Sequence, residues 1–441
     1  MLEKPVLVIQ GIGFGLSQIL AILRRSISFR LKLLRYSMSS SSSSSAASSE
    51  KPRNIIVVGA SMAGYSAART LAQHLLPNSP YRVVVVEPRD HFHFTWVLPR
   101  FCVAEGHEHK AFIPYGGFLP AGALEADGGK VAWVQGRVAR ISRESVTLEG
   151  SDEEIPYEFM IVATGAGAAD SLPSRVPTAD KAEGMELLRE MQRRIKASKN
   201  LVVVGGGAAG VELATDAKSK YPEKKVTLVH SRQSVMHRFG PGLQKAAMDG
   251  IKELGIECIT GDRLVSEDKE KGIAVLKSGR EIACDCLVNC AGQRPDSKLV
   301  AELSPTSISE SGHILTKPTL QIQDDSLPNI YACGDVSGTN TSHPNARSAM
   351  RQGMVAAFNV LCGTDGQKPK EKYVPHWLDG GIKLTLGLDK SVANVGDEKA
   401  EFLFPAKEKK EELMAAEAWH KLGEKPFKDD GSFLSKIKAK I

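Results

Sequence analysis

Apolar and polar positions divide the chain into three unlike stretches. The first, residues 5–23, is a run of nineteen residues without a charge that stops at Arg24-Arg25. It is long enough to span a bilayer. Beyond it, Arg30, Lys32 and Arg35 interleave with Phe29, Leu31, Leu33 and Leu34. The second stretch, residues 38–53, is dominated by serine, unbroken from Ser39 to Ser45. It has nothing to bury, which predicts a flexible linker. From about Arg53 onward, short apolar runs alternate with longer helical segments. Residues 54–58, 81–86, 159–163, 201–204, 226–229 and 286–289 read as strands buried on both faces. That rhythm predicts an α/β fold, with parallel sheets and crossover helices.

A length of 441 residues exceeds one ordinary core and predicts two or three domains. Of the net charge of +6, residues 1–37 carry +5: six basic residues against Glu3. The remaining body is close to neutral, which argues against a nucleic-acid partner. Seven cysteines show neither zinc spacing nor a CxxC pair. They predict reduced thiols in a cytosolic or matrix compartment, and no metal site.

Three readings of residues 1–37 stand open. One is a membrane anchor through residues 5–23, its basic flank facing the cytosol. Another is a mitochondrial presequence, suggested by Arg and Ser content and few acids. The third is an extension absent from the mature protein. Met38 offers a start for a shorter soluble form.

Two glycine-rich turns carry the chemistry. The run 55–58 leads into Gly59-Ala60-Ser61-Met62-Ala63-Gly64 and a helix from about residue 66. Strand, tight turn and helix N-terminus together aim free N–H groups and a helix dipole at a pyrophosphate. Ser61 replaces the middle glycine. Glu87 ends the next strand, where an acid accepts hydrogen bonds from an adenosine ribose. The second turn, Gly205-Gly206-Gly207-Ala208-Ala209-Gly210, follows residues 201–204. Its partner strand ends in His230-Ser231-Arg232, with no acid at the ribose-reading position. Arg232 nearby suits a 2′-phosphate, so NADPH is expected alongside NADH. Two such turns suit a flavin enzyme that takes hydride from a nicotinamide.

Three further segments, MIVATG with Thr164 and Gly165, VNCAGQRP from Val288, and NIYACGD with Gly334 and Asp335, match the two-dinucleotide flavoproteins. With VVVGGGAAGVELA, YPEKKVTLVHS and HFHFTWVLPRFCVAEGHEHKAFIPY, the chain resembles the ferroptosis-suppressor and apoptosis-inducing-factor-like quinone reductases, relatives of type II NADH dehydrogenases. The likeness covers about residues 54–425. It implies a glutathione-reductase-like fold with an NAD domain (179–290) inserted in an FAD domain (54–178 and 291–366). A small α+β C-terminal segment (367–441) follows, possessing a helix over 408–422 that either packs on its own domain or faces a membrane. It also implies FAD, NAD(P)H oxidation and a quinone-type acceptor. By motif match Asp335 holds the ribityl and pyrophosphate portion of FAD, Glu87 reads its ribose, and Arg100 and Lys110 sit near the flavin. Leu2 stands where that group's N-myristoylation requires glycine.

Hydride transfer needs alignment rather than a nucleophile. Glu212, at the start of the second cradle's helix, is the expected redox-site residue, positioning the nicotinamide or relaying a proton. His91 and His93 are either proton donors to reduced quinone or loop histidines bonded to backbone. The rival chemistry is a peroxide or disulfide reductase using Cys102. A third reading is a flavoprotein whose main work is binding in cell-death signalling. No dithiol follows the first cradle, which disfavours glutathione-reductase-type chemistry.

Overall fold

The computed structural model describes residues 3–40, 51–168, 173–397 and 400–437. The chain opens with α1 (Glu3–Ser40), one continuous helix that runs past the predicted start of the linker. The serine tract from residue 41 to 50 lies outside the described residues. Then β1 (Arg53–Val58) runs into α2 (Met62–His74), followed by β2 (Tyr81–Glu87), β3 (Val131–Gln135) and β4 (Phe159–Val162). Next come β5 (Asn200–Val204), α3 (Ala208–Lys220), β6 (Lys225–His230), β7 (Glu257–Thr260) and β8 (Cys286–Asn289). Finally β9 (Ile330–Ala332) and α4 (Ala346–Thr364) precede a C-terminal antiparallel sheet, β10 (Ile382–Thr385), β11 (Lys390–Gly396) and β12 (Glu401–Lys407).

The expected parallel strands assemble into two sheets. One has the order β9-β4-β1-β2-β3, the other β7-β6-β5-β8. Every pairing in both is parallel. Ile55, Ile56, Val57, Leu201, Val202 and Val203 are fully buried, which is why these strands read as continuous apolar runs. A short antiparallel ribbon joins the halves: Ala166–Ala168 pairs with Gln293–Pro295, so the segments after MIVATG and VNCAG meet.

In the C-terminal segment the expected helix over 408–422 is shorter, Ala415–Lys421. Just before it, residues 401–407 form β12 on β11. Leu413 takes a positive φ of 55°, which stops a helix from starting earlier. Trp419 is 1% exposed and Leu422 is buried. The stripe is thus largely buried, and Trp419 Nε1 donates to the Lys110 carbonyl of the first unit at 2.9 Å.

Candidate functional site

The two glycine turns face each other across one cavity of about 1340 Å³. Its walls include Ser61, Thr164, Gly165, Gly205, Gly207 and Asp335, with Gly334, Glu212 and Arg232 beside them. Residues far apart in sequence are thus gathered where two dinucleotides would lie end to end.

Each turn is built so that only glycine fits at the critical points. Gly59 has φ +91° and Gly205 φ +112°, a region costly for any other residue. A Cβ on Gly64 would lie 1.8 Å from the Gly59 carbonyl oxygen, and one on Gly210 1.8 Å from that of Gly205. The helix can pack against its own strand only without those side chains. Ser61 is tolerated because its φ is −79° and it caps α2 with no side-chain bond of its own. The serine therefore leaves the turn's geometry intact.

The strand-end positions differ between the halves in an informative way. Glu87 is buried, and its Oε2 accepts the Ala60 N–H at 2.6 Å while Oε1 accepts the Arg89 N–H at 3.0 Å. In the second half His230 takes that place: its Nδ1 accepts the Gly206 N–H at 3.1 Å. Burial holds the His230 pKa below its ordinary value, so it is neutral near pH 7. A neutral imidazole there replaces a carboxylate. Arg232, Arg238 and Arg263 stand around the same end of the cavity.

Glu212 lies half-buried on α3, with its side chain on the cavity wall. Its Oε1 accepts the Thr385 N–H at 3.2 Å. Burial, aided by the nearby Asp216 carboxylate, pushes its pKa up to about 8. The group is predominantly protonated at neutral pH, and Oε2 is left to carry the proton. Asp335 pairs with Arg175 (Nη2–Oδ2 3.2 Å), which also lines the cavity. No motif marks Arg175, and only the returning fold brings it to the aspartate.

Two expected flavin neighbours are placed elsewhere. Arg100 is 1% exposed and is absent from the cavity wall. Its Nε bonds Asp216 Oδ2 at 2.7 Å, and Nη2 donates to the Gly387 carbonyl at 3.0 Å. It ties the first unit to α3 and the C-terminal sheet. Lys110 lies 3.7 Å from Glu412 and 4.7 Å over the Phe427 ring, also away from the cavity. Both cations serve the packing of the C-terminal segment.

His91 is held between Asp90 (2.9 Å) and Asp429 (2.8 Å) and is not on the cavity wall. His93 is on it. Buried, with neither ring nitrogen hydrogen-bonded among the described residues, it has a pKa lowered to about 3 and stays neutral. Cys102 is fully buried and lies off the wall of the nucleotide cavity, and burial raises its thiol pKa well above the ordinary value. A redox thiol needs access and thiolate character, and Cys102 has neither. All seven cysteines are free.

The family profile described as pyridine nucleotide-disulphide oxidoreductase matches residues 53–353, more than half of the chain. The chain belongs to this family. It is 34% identical to Fe-regulated protein 8 of Mycosarcoma maydis, over 77% of this chain and 88% of that one. It is 26% identical to ferroptosis suppressor protein 1 of Homo sapiens, over 85% of this chain and 96% of the relative. Among solved structures it resembles a NAD-dependent persulfide reductase from A. fulgidus (TM-score 0.61, 22% identity), covering 78% of this chain and 64% of that one. It thus spans less than two thirds of that structure's length. A ferredoxin reductase from Rhodopseudomonas palustris gives a TM-score of 0.59 at 21% identity, with 78% and 82% covered. These structural likenesses speak for the fold. Family membership makes the chain an oxidoreductase that uses FAD and NAD(P)H, and the paired glycine cradles fit both nucleotides.

Proposed function

We propose that this protein is an NAD(P)H:quinone oxidoreductase, with residues 54–178 and 291–366 holding FAD and 179–290 the nicotinamide nucleotide. The observation that carries the reading is a side chamber of about 200 Å³ that shares Met62, Phe92, Phe94 and Trp96 with the main cavity. Its own walls add Tyr65, Phe118 and Met350. Drug-sized sites run to roughly 300–1,000 Å³, so this apolar chamber suits a single ring. A quinone head group has that size and character.

The residues act by placement. Gly59 and Gly205 make the tight turns, and Gly64 and Gly210 let each helix pack close enough to aim its N-terminus at the phosphates. Asp335 accepts from hydroxyls, Glu87 from a ribose, and Arg232 offers its guanidinium to the nicotinamide nucleotide. When bound, FAD accepts a hydride from the reduced nicotinamide and delivers two electrons onward. Glu212 holds a proton on Oε2 at the cavity wall, and quinone reduction consumes protons. The apolar chamber walls exclude water around the acceptor.

The test is turnover of the yellow protein with NADH or NADPH and a short-chain ubiquinone analogue, against reoxidation by oxygen alone. Quinone-dependent rates at least about tenfold higher are expected, a difference of 1.4 kcal/mol in barrier. Met350→Trp, which fills the chamber, should raise the quinone KM while leaving the nicotinamide KM unchanged. Oxygen-limited turnover indifferent to quinone would overturn the assignment. We further infer that the protein works at a membrane through α1, which is long and apolar enough to cross one. A quinone with an isoprenoid tail partitions into the same phase.

A further inference from the structure

The orientation of α1 on the body runs opposite to what water demands. Arg25 turns inward to Glu371 (Nη2–Oε2 2.5 Å), Arg24 reaches the same carboxylate at 2.6 Å, and Lys32 pairs with Asp365. Leu7 is 2% exposed, and Phe14 stacks on His376 at 3.8 Å with the Arg351 guanidinium 4.8 Å from its ring centroid. Oil points the other way. Twelve of the sixteen exposed large apolar side chains among the described residues belong to this one helix.

Eight of the twelve make one stripe. Ile9, Ile12, Leu16, Leu20, Leu23 and Ile27 recur every three or four residues and share a face. The stripe continues to Leu31 and Leu34, straight past Arg24-Arg25, where a bilayer span would have to end. At 38 residues the helix is about 57 Å long, nearly twice the roughly 30 Å hydrocarbon core. A helix built to cross would not keep its apolar face through the second half. A helix built to lie flat would.

Charge selects the occupant of that face. Exposed Arg30 and Arg35 flank it, and α1 carries no acid beyond Glu3. A second copy would bring like charges together, whereas anionic headgroups complement them. We propose that α1 is an in-plane anchor: it stays docked on the body through its inward ion pairs and sinks its outer stripe into one leaflet of an anionic bilayer, without crossing. This rests on the membrane reading above and replaces a span with a surface. It also positions the acceptor chamber, because α4 carries Arg347 and Met350 on the chamber wall and Arg351, one turn on, against Phe14.

The test uses the full chain with an epitope at its N-terminus, mixed with phosphatidylcholine vesicles with or without phosphatidylglycerol. Expected are co-flotation with the anionic vesicles and, on adding protease outside, loss of the epitope together with the body. Ile12→Asp and Leu20→Asp, both at exposed positions, should each lower partitioning about tenfold or more, with turnover on a water-soluble quinone unchanged. That turnover reports the enzymatic reading separately, so either idea can fail alone. An epitope protected inside the vesicles would show a span and overturn the proposal. So would absence of flotation, or a dimer in vesicle-free buffer that the two substitutions dissolve.

Discussion

Arg100 and Asp216, 116 positions apart in sequence, form an ion pair of 2.7 Å in which neither side chain is more than 1% exposed. The pair joins the segment after the first cradle to α3 of the second. Removing one partner leaves a buried charge without compensation, which costs about 3–5 kcal/mol. Arg100→Ala and Asp216→Ala should each lower the denaturation midpoint steeply. Replacing both with apolar residues of similar size should recover much of the loss. Equal stability of the single and double variants in urea melts would contradict this.

Glu212 should set a limb of the pH profile. Its pKa, raised from 4.5 to about 8 by burial, means the folded protein holds a proton that the unfolded chain releases across that window. Stability from this group is fully present below pH 4.5 and is lost as pH rises towards 8. Quinone reduction that uses the Oε2 proton should fall above about pH 8, by close to tenfold per pH unit. Glu212→Gln should be slow, retain its yellow colour, and lack that limb. A wild-type profile unchanged in shape by the substitution would remove the proton role.

The two cradles should be separable. Gly210→Ala places a methyl 1.8 Å from a carbonyl oxygen, so the turn or the helix must move. Overpacking of this kind costs about 1–3 kcal/mol, or roughly 10–100-fold in nicotinamide affinity. FAD content should stay at wild-type level, because the first turn is untouched. Gly64→Ala should do the reverse, leaving colourless protein. Absorbance and NAD(P)H titration read the two effects independently.

Arg232→Ala should weaken NADPH more than NADH. A hydrogen bond to a charged phosphate is worth about 1.5–3 kcal/mol, or roughly 10–100-fold. The ratio of kcat/KM for the two nucleotides is the measurement, and an unchanged ratio would shift the role to Arg238 or Arg263.

Local signals in the sequence carried much of this architecture. Strands buried on both faces must be apolar throughout, and cradle glycines are demanded by positive φ and by close backbone approach. Residues 54–58 and 201–204, Gly59 and Gly205 were therefore legible. Arg100 was not, because its partner lies in another unit and nothing within its own segment announces burial. Arg175 was invisible for the same reason: its link to Asp335 spans 160 positions. The helix read over 408–422 is shortened at its start, because Leu413 adopts a positive φ that helical spacing does not reveal. Serine at position 61 weakened the first fingerprint on paper, whereas its negative φ makes it harmless in space.

The ribbon of Ala166–Ala168 against Gln293–Pro295 has a mechanical consequence. Everything in the β5–β8 sheet is threaded between these two strands, so the chain enters and leaves it through a single narrow neck. A unit attached in that way has its two chain ends side by side, so its seat against the first unit depends on side-chain ties such as Arg100–Asp216 rather than on further chain crossings.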